Sequence, residues 1–262
     1  MRITEKIIWI TGASSGIGEA LSVQLNQAGA TVILSARRKE ELERVQKSLA
    51  NPEKSHILPL DLAEHETFDE KVAYITEHFG RIDMLINNGG ISQRSYVHDT
   101  NNTVDRKIME INYFGTIFLS KSVLPTLRAS NGKYVVISSL SGKFGFFQRS
   151  AYSASKHALH GFFDSLRLEE ESNGVSVLMV CPGKIRTDIS KNALEGDGKK
   201  HAAMDPNQEE GMPPDECAKK IIRGIRKDKL EIVVGGKERY TILIKRLFPK
   251  LLQRILRKQR HA

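Results

Sequence analysis

The 262-residue chain is 40% hydrophobic and 27% charged, the balance of a water-soluble chain with enough apolar residues for a full core, and its two cysteines exclude a disulfide framework. Its net charge of +9 invites a nucleic-acid reading, but residues 239–262 hold eight Arg or Lys and no Asp or Glu. The remainder is nearly neutral, so no basic nucleic-acid-binding domain is expected and the tail needs its own account.

Met1-Arg2-Ile3-Thr4-Glu5-Lys6 runs straight into an apolar stretch, so no secretory signal is expected, and with no apolar run of about 18 residues no membrane-spanning helix is expected either. With Cys181 and Cys217 read as reduced thiols, a cytoplasmic protein is expected. Apolar β-rich runs at residues 7–10, 31–34, 56–59, 84–86, 134–138, 175–180 and 230–234 alternate with helical spacing at 18–28, 39–50, 66–79, 103–127, 153–170 and 214–226. Strand runs that are apolar throughout suit a sheet covered on both faces. The expectation is an α/β, single-domain, doubly wound Rossmann fold over residues 1–238, with a seven-stranded parallel sheet flanked by helices. Residues 190–214, rich in Gly, Asp, Lys and Pro, read as a mobile substrate loop.

The first strand enters Gly12-Ala13-Ser14-Ser15-Gly16-Ile17-Gly18 and then a helix. Glycines let the main chain approach a phosphate, and the helix N-terminus attracts the anion, so this turn suits a dinucleotide pyrophosphate. The second strand ends in Arg37-Arg38 with no acid between Ala30 and Lys39. An acid there would accept from a ribose 2′-hydroxyl, whereas arginines suit a 2′-phosphate, so NADP(H) is expected over NAD(H). Asp61-Leu62 and Asn87-Asn88-Gly89-Gly90 fall at strand C-terminal ends, where such sheets form their ligand crevice; a helix cap and a plain turn are the alternatives.

Ser139 follows the fifth strand, and Tyr152 and Lys156 come four residues apart, on one helix face. A tyrosine with a pKa of about 10 is a poor proton carrier near neutrality. A cation about 4 Å away contributes on the order of 4 kcal/mol at an effective dielectric near 20, and desolvation opposes it. With these residues in this order, residues 5–235 resemble a short-chain dehydrogenase/reductase of the compact single-domain type. The resemblance also rests on Asp61, the Asn87–Gly90 turn, Asn112 and Pro182-Gly183, with Gly89 departing from the family's alanine.

The resemblance implies Tyr152 as general acid/base, Ser139 as the group that holds and polarises the carbonyl, and Lys156 as the residue that lowers the phenol pKa and binds ribose. It implies that Asn112 positions water in a proton relay. It also places Ser15 and Ile17 near the pyrophosphate, Asp61 and Leu62 beside adenine, and Asn88, followed by Gly90, near the adenosine ribose. Pro182, Gly183, Ile185 and Thr187 would line the nicotinamide side. A homodimer or homotetramer through the helices at 103–127 and 153–170 is implied as well.

Phe144, Phe146 and Phe147, just after Ser139, suggest a lipophilic substrate, or else core or dimer packing. His157 and His160 lack a metal-like partner set, and Ser139 lacks the glycine-bracketed elbow of a hydrolase. Residues 240–260 combine Leu243, Leu247, Leu251 and Ile255 with basic residues at helical spacing, divided by Pro249. Such a segment suits peripheral contact with an anionic membrane, or packing on protein. The function expected is carbonyl/alcohol interconversion by hydride transfer. An NADP(H)-binding redox sensor or scaffold without turnover is the alternative from another class, and an epimerase or dehydratase would need a larger substrate domain.

Overall fold

The computed structural model describes residues 2–258, the side chains of Pro206 and Asn207 excepted; residues 259–262 of the expected tail lie outside the described residues. Seven parallel strands form one sheet in the order β3-β2-β1-β4-β5-β6-β7. They are β1 (Ile7–Thr11), β2 (Thr31–Ser35), β3 (Ser55–Ile57), β4 (Met84–Asn87), β5 (Lys133–Ile137), β6 (Ser176–Pro182) and β7 (Glu231–Val234). The expected doubly wound α/β fold and its strand count are borne out. Chain direction across the sheet reverses between β1 and β4, so the ends of those strands open a crevice.

The helices are α1 (Gly16–Gln27), α2 (Lys39–Lys47), α3 (Phe68–Phe79), α4 (Asn102–Met109), α5 (Gly115–Ser130), α6 (Ser150–Glu170), the single turn α7 (Pro206–Glu209), α8 (Pro214–Arg226), α9 (Thr241–Leu247) and α10 (Pro249–Arg257). Side chains alternate across a strand, and this divides the core. Ile8, Ile10, Val135, Leu178 and Val180 pack with α1 and α8 on one face. Trp9, Tyr134, Val136, Val177 and Met179 pack with α3, α5 and α6 on the other.

The expected helix over residues 103–127 is two helices joined by a π-turn, Glu110–Phe114. The extra residue in that turn centres on Asn112, whose fully buried amide bonds to Ile91 and Ser155. Such bulges recur at functional sites because they re-aim a side chain without ending the helix. Helix α6 begins at Ser150, before the expected residue 153, because Gln93 Oε1 accepts from Ala151 N–H at 2.9 Å and from Tyr152 N–H at 3.4 Å. That cap comes from a distant loop and satisfies donors that Arg149, as N-cap, leaves open.

The segment at 190–214 is tied down in several places. Leu194 bridges to Gln93 and Lys200, Ile185 bridges to Met212, and Asp205 pairs with Arg94. The tail splits at Phe248-Pro249 into α9 and α10, with Pro249 in the first turn, where its missing N–H is harmless. Leu252 is buried with Leu140 and Phe144, and Ile244 and Leu256 pack against them. Leu243, Leu247, Phe248 and Leu251 remain exposed.

Candidate active site

The crevice at the chain reversal is a cavity of about 460 Å³. It runs from Arg37 and Arg38, past the glycine turn, to Ser139, Tyr152 and Lys156. The turn is shaped for close approach. Gly12 and Gly16 have φ of +65° and +57°, and a Cβ on Gly12 would lie 2.8 Å from Asn88 Nδ2. Gly18 does not line the cavity; a Cβ there would lie 2.2 Å from the Gly12 carbonyl oxygen, so it lets the helix seat against the turn. Ser15, the N-cap of α1, makes no side-chain capping bond, and Ser15 and the first helical residues Gly16 and Ile17 line the cavity.

Asn88 Nδ2 donates to the Thr11 and Gly12 carbonyls at 3.0 and 3.1 Å, locking the β4 turn to the glycine turn. Arg44 clamps the other side, bidentate to Glu19 and donating to the Ser14 carbonyl at 3.1 Å. Arg37 and Arg38 are exposed at the rim, and neither forms an ion pair among the described residues. Asp61 and Leu62 line the cavity, and Asp61 also accepts from Ala63 N–H at 3.0 Å, as a local cap would. Ser14, Ile17, Gly90, Pro182, Gly183, Ile185 and Thr187 line it too. The cradle fits a dinucleotide: glycine where the backbone must approach, helix N–H groups at its centre, and two cations at one end.

At the other end Ser139, Tyr152 and Lys156 share one wall. Burial raises the Tyr152 pKa above its ordinary value, while a hydrogen bond from Ser139 and the charges of Arg149 and Arg94 pull against that rise. Lys156 contributes less to the phenol than its spacing suggests. Its Nζ lies 5.9 Å from the Tyr152 ring centre and donates to the Ile137 carbonyl at 2.8 Å, and burial brings its pKa down to about 8. Asn112 stands one layer back. Its Oδ1 accepts from Ile91 N–H at 2.8 Å, and a Cβ on Gly90 would lie 3.0 Å from that oxygen and 3.7 Å from Lys156 Nζ.

Some side chains beside the site carry no sequence signal. Arg94, Arg149 and Asp205 meet beside Ser139 and Tyr152 in an adjoining cavity of about 120 Å³, also lined by Phe146. Arg94 and Asp205 are 111 residues apart, so no local pattern announces them. Behind Ser139, Lys143 Nζ sits 3.2 Å from His160 Nδ1, and His160 Nε2 sits 3.0 Å from Ser138 Oγ. The arrangement sets the tautomer: Nδ1 accepts from the ammonium and Nε2 donates to the hydroxyl. Of the three phenylalanines, Phe146 lines the smaller cavity whereas Phe144 lies under the tail, so Phe144 packs the core. No group of three His, Cys, Asp or Glu among the described residues is placed to hold a metal.

A family profile for short chain dehydrogenases matches residues 6–198. A Drosophila melanogaster dehydrogenase/reductase SDR family protein 7-like is 43% identical over 97% of this chain and 80% of its own length. A short-chain dehydrogenase from Burkholderia cenocepacia, solved with NADP, superposes with a TM-score of 0.81 at 23% identity, over 98% of this chain and 99% of its own. One from Burkholderia phymatum, solved with NAD, gives 0.84 at 18%, over 96% of each chain; at these identities both show the fold. Profile match, relative and geometry agree: the chain belongs to the short-chain dehydrogenase/reductase family of NAD(P)-binding oxidoreductases.

Proposed function

We propose that the protein interconverts a carbonyl and an alcohol using NADP(H), with Tyr152 as the proton donor and acceptor. The observation that carries this is the shared wall of Ser139, Tyr152 and Lys156 at one end of the glycine-turn cavity. Bound nicotinamide would supply or take up the hydride. Arg37 and Arg38, unopposed by an acid at the end of β2, would hold the 2′-phosphate. Ser139 donates to the carbonyl oxygen and Tyr152 passes it a proton. A buried phenol with a raised pKa stays protonated near neutrality, as an acid for reduction must. Lys156 binds the ribose and relays the replacement proton through water ordered by Asn112, whose Oδ1 keeps a lone pair after accepting from Ile91.

Phe146 at the smaller cavity supports a partly apolar substrate. Exposed Leu243, Leu247, Phe248 and Leu251, beside Lys245, Arg246 and Lys250, support peripheral contact with an anionic membrane. No helix among the described residues is long and apolar enough to cross one. Cys181 and Cys217, free and buried, are compatible with the reducing cytoplasm. Exposed Phe114, in the turn just before α5, and Leu168 on α6 support assembly into a homodimer or homotetramer through these helices. The test is a carbonyl panel with NADPH, followed at the nicotinamide absorbance. Turnover by the wild type, reduced at least about a hundredfold in Tyr152→Phe, is expected. Cofactor binding without turnover of any carbonyl would favour the sensor reading.

A further inference from the structure

Resting on the carbonyl-reductase reading, we propose that Arg94 and Arg149 form an anion-binding end of the substrate pocket. Asp205 occupies it as an internal stand-in, and the substrate carries a carboxylate or phosphate that takes Asp205's place.

The two arginines are built to receive an oxyanion. The Arg94 side chain is only 5% exposed, and its Nη1 is fixed by Ser92 Oγ at 3.0 Å and the Gln93 carbonyl at 2.6 Å. That leaves its Nε/Nη2 edge presented to the cavity, and Asp205 meets that edge with both oxygens at 2.5–3.1 Å. This is the fork geometry by which guanidinium recognises carboxylate or phosphate. Arg149 Nη2 reaches the same Asp205 oxygen at 2.9 Å, and its guanidinium lies 5.0 Å from the Phe146 ring centre, which restricts its swing.

Charge and position point to a ligand rather than a clamp alone. Two cations converge on one carboxylate in the cavity that Ser139 and Tyr152 also line, so an anchored anion would hold its carbonyl within reach of those two hydroxyls. Asp205 comes from the inserted segment, whereas both arginines belong to the body beside β4 and α6. With Asp205 in place the cavity of about 120 Å³ leaves room for few heavy atoms. A neutral substrate that expelled Asp205 would strand two partly buried guanidinium groups; an anionic one replaces charge with charge. The exchange therefore selects for a negative group.

The test uses the full-length protein with NADPH and two matched pairs: 4-acetylbenzoate with its methyl ester, and 4-acetylphenyl phosphate with 4-acetylphenol. At least one anion should exceed its neutral partner about tenfold or more in kcat/KM, and the pair that does so identifies the group. Arg149→Gln should erase that ratio, Arg149→Lys should restore part of it, and Asp205→Asn should raise it. Calorimetry of benzoate and phenyl phosphate against the NADPH-loaded protein reads the subsite without turnover. Anion binding that is lost in Arg149→Gln, with no carbonyl reduced, would leave the subsite standing and overturn the reductase reading. Carbonyl reduction with equal rates within each pair, or anions that do not bind the wild type, would overturn the subsite and leave the reaction intact.

Discussion

Replacing His160 by Gln should make the protein more resistant to acid. Burial, and then the neighbouring Lys143 ammonium, push the His160 imidazole down from 6.5 to about 4. Near pH 7 the ring is neutral in both the folded and the unfolded chain and contributes no pH dependence. As the pH falls below about 6.5 the unfolded chain takes up the proton first, so native stability drops until the folded ring also titrates near 4. At 1.36 kcal/mol per pKa unit, about 2.5 kcal/mol of this is lost by pH ~4.5. A glutamine amide does not titrate, yet it can accept from Lys143 and donate to Ser138 as the neutral ring does. Urea unfolding near pH 7 and near pH 4.5 should therefore show the wild type losing about 2.5 kcal/mol more than His160→Gln. Losses from Asp205, Asp228 and Glu170, whose pKa values are also lowered, fall on both proteins and cancel. Equal acid losses, or a ring resonance with a midpoint near 6.5, would refute the buried neutral imidazole.

Changing Arg37 and Arg38 together to Ala should lower kcat/KM for NADPH by about a hundredfold and for NADH only a few-fold, since charge-assisted phosphate contacts are lost. An equal fall with both coenzymes would remove the arginines from 2′-phosphate recognition. Leu252→Ala removes a buried side chain between Leu140 and Phe144, a change of about 2–5 kcal/mol. Two short helices cannot absorb that loss, so hydrogen exchange should accelerate across α9 and α10 while the urea midpoint of the body holds; unchanged exchange would contradict the docking. Leu247→Ser with Phe248→Ser should weaken binding to phosphatidylserine-containing vesicles about tenfold or more, and undiminished binding would rule out this face.

What could be read from the sequence was local and periodic. Apolar runs such as residues 175–180 announced strands, and the glycines from Gly12 to Gly18 announced their turn by order alone. The Tyr152/Lys156 spacing placed both side chains on one face, as found. What could not be read depends on residues distant in sequence. The α6 start is fixed by Gln93, and the break at Asn112 lies in a stretch whose apolar spacing is helical on both sides of it. Asp205 joins Arg94 and Arg149 only when the inserted segment folds back against the loop after β4. Phe144 illustrates the limit from the other side: an aromatic in an irregular loop carries no period, so nothing local distinguished substrate wall from tail anchor. The strength of the Lys156 effect was also invisible, because the Ile137 carbonyl that holds its ammonium belongs to β5 and not to its own helix.

The proposed reaction couples proton transfer by Tyr152 to hydride transfer at the carbonyl. Its most direct test is NADPH deuterated at the transferring C4 position, incubated with a reducible ketone, with the alcohol analysed by NMR. The label should appear on the carbinol carbon with the wild type and fall at least about a hundredfold with Tyr152→Phe, which should still bind NADPH. Label retained on the coenzyme with every ketone tried, or transferred at the wild-type rate by Tyr152→Phe, would contradict it.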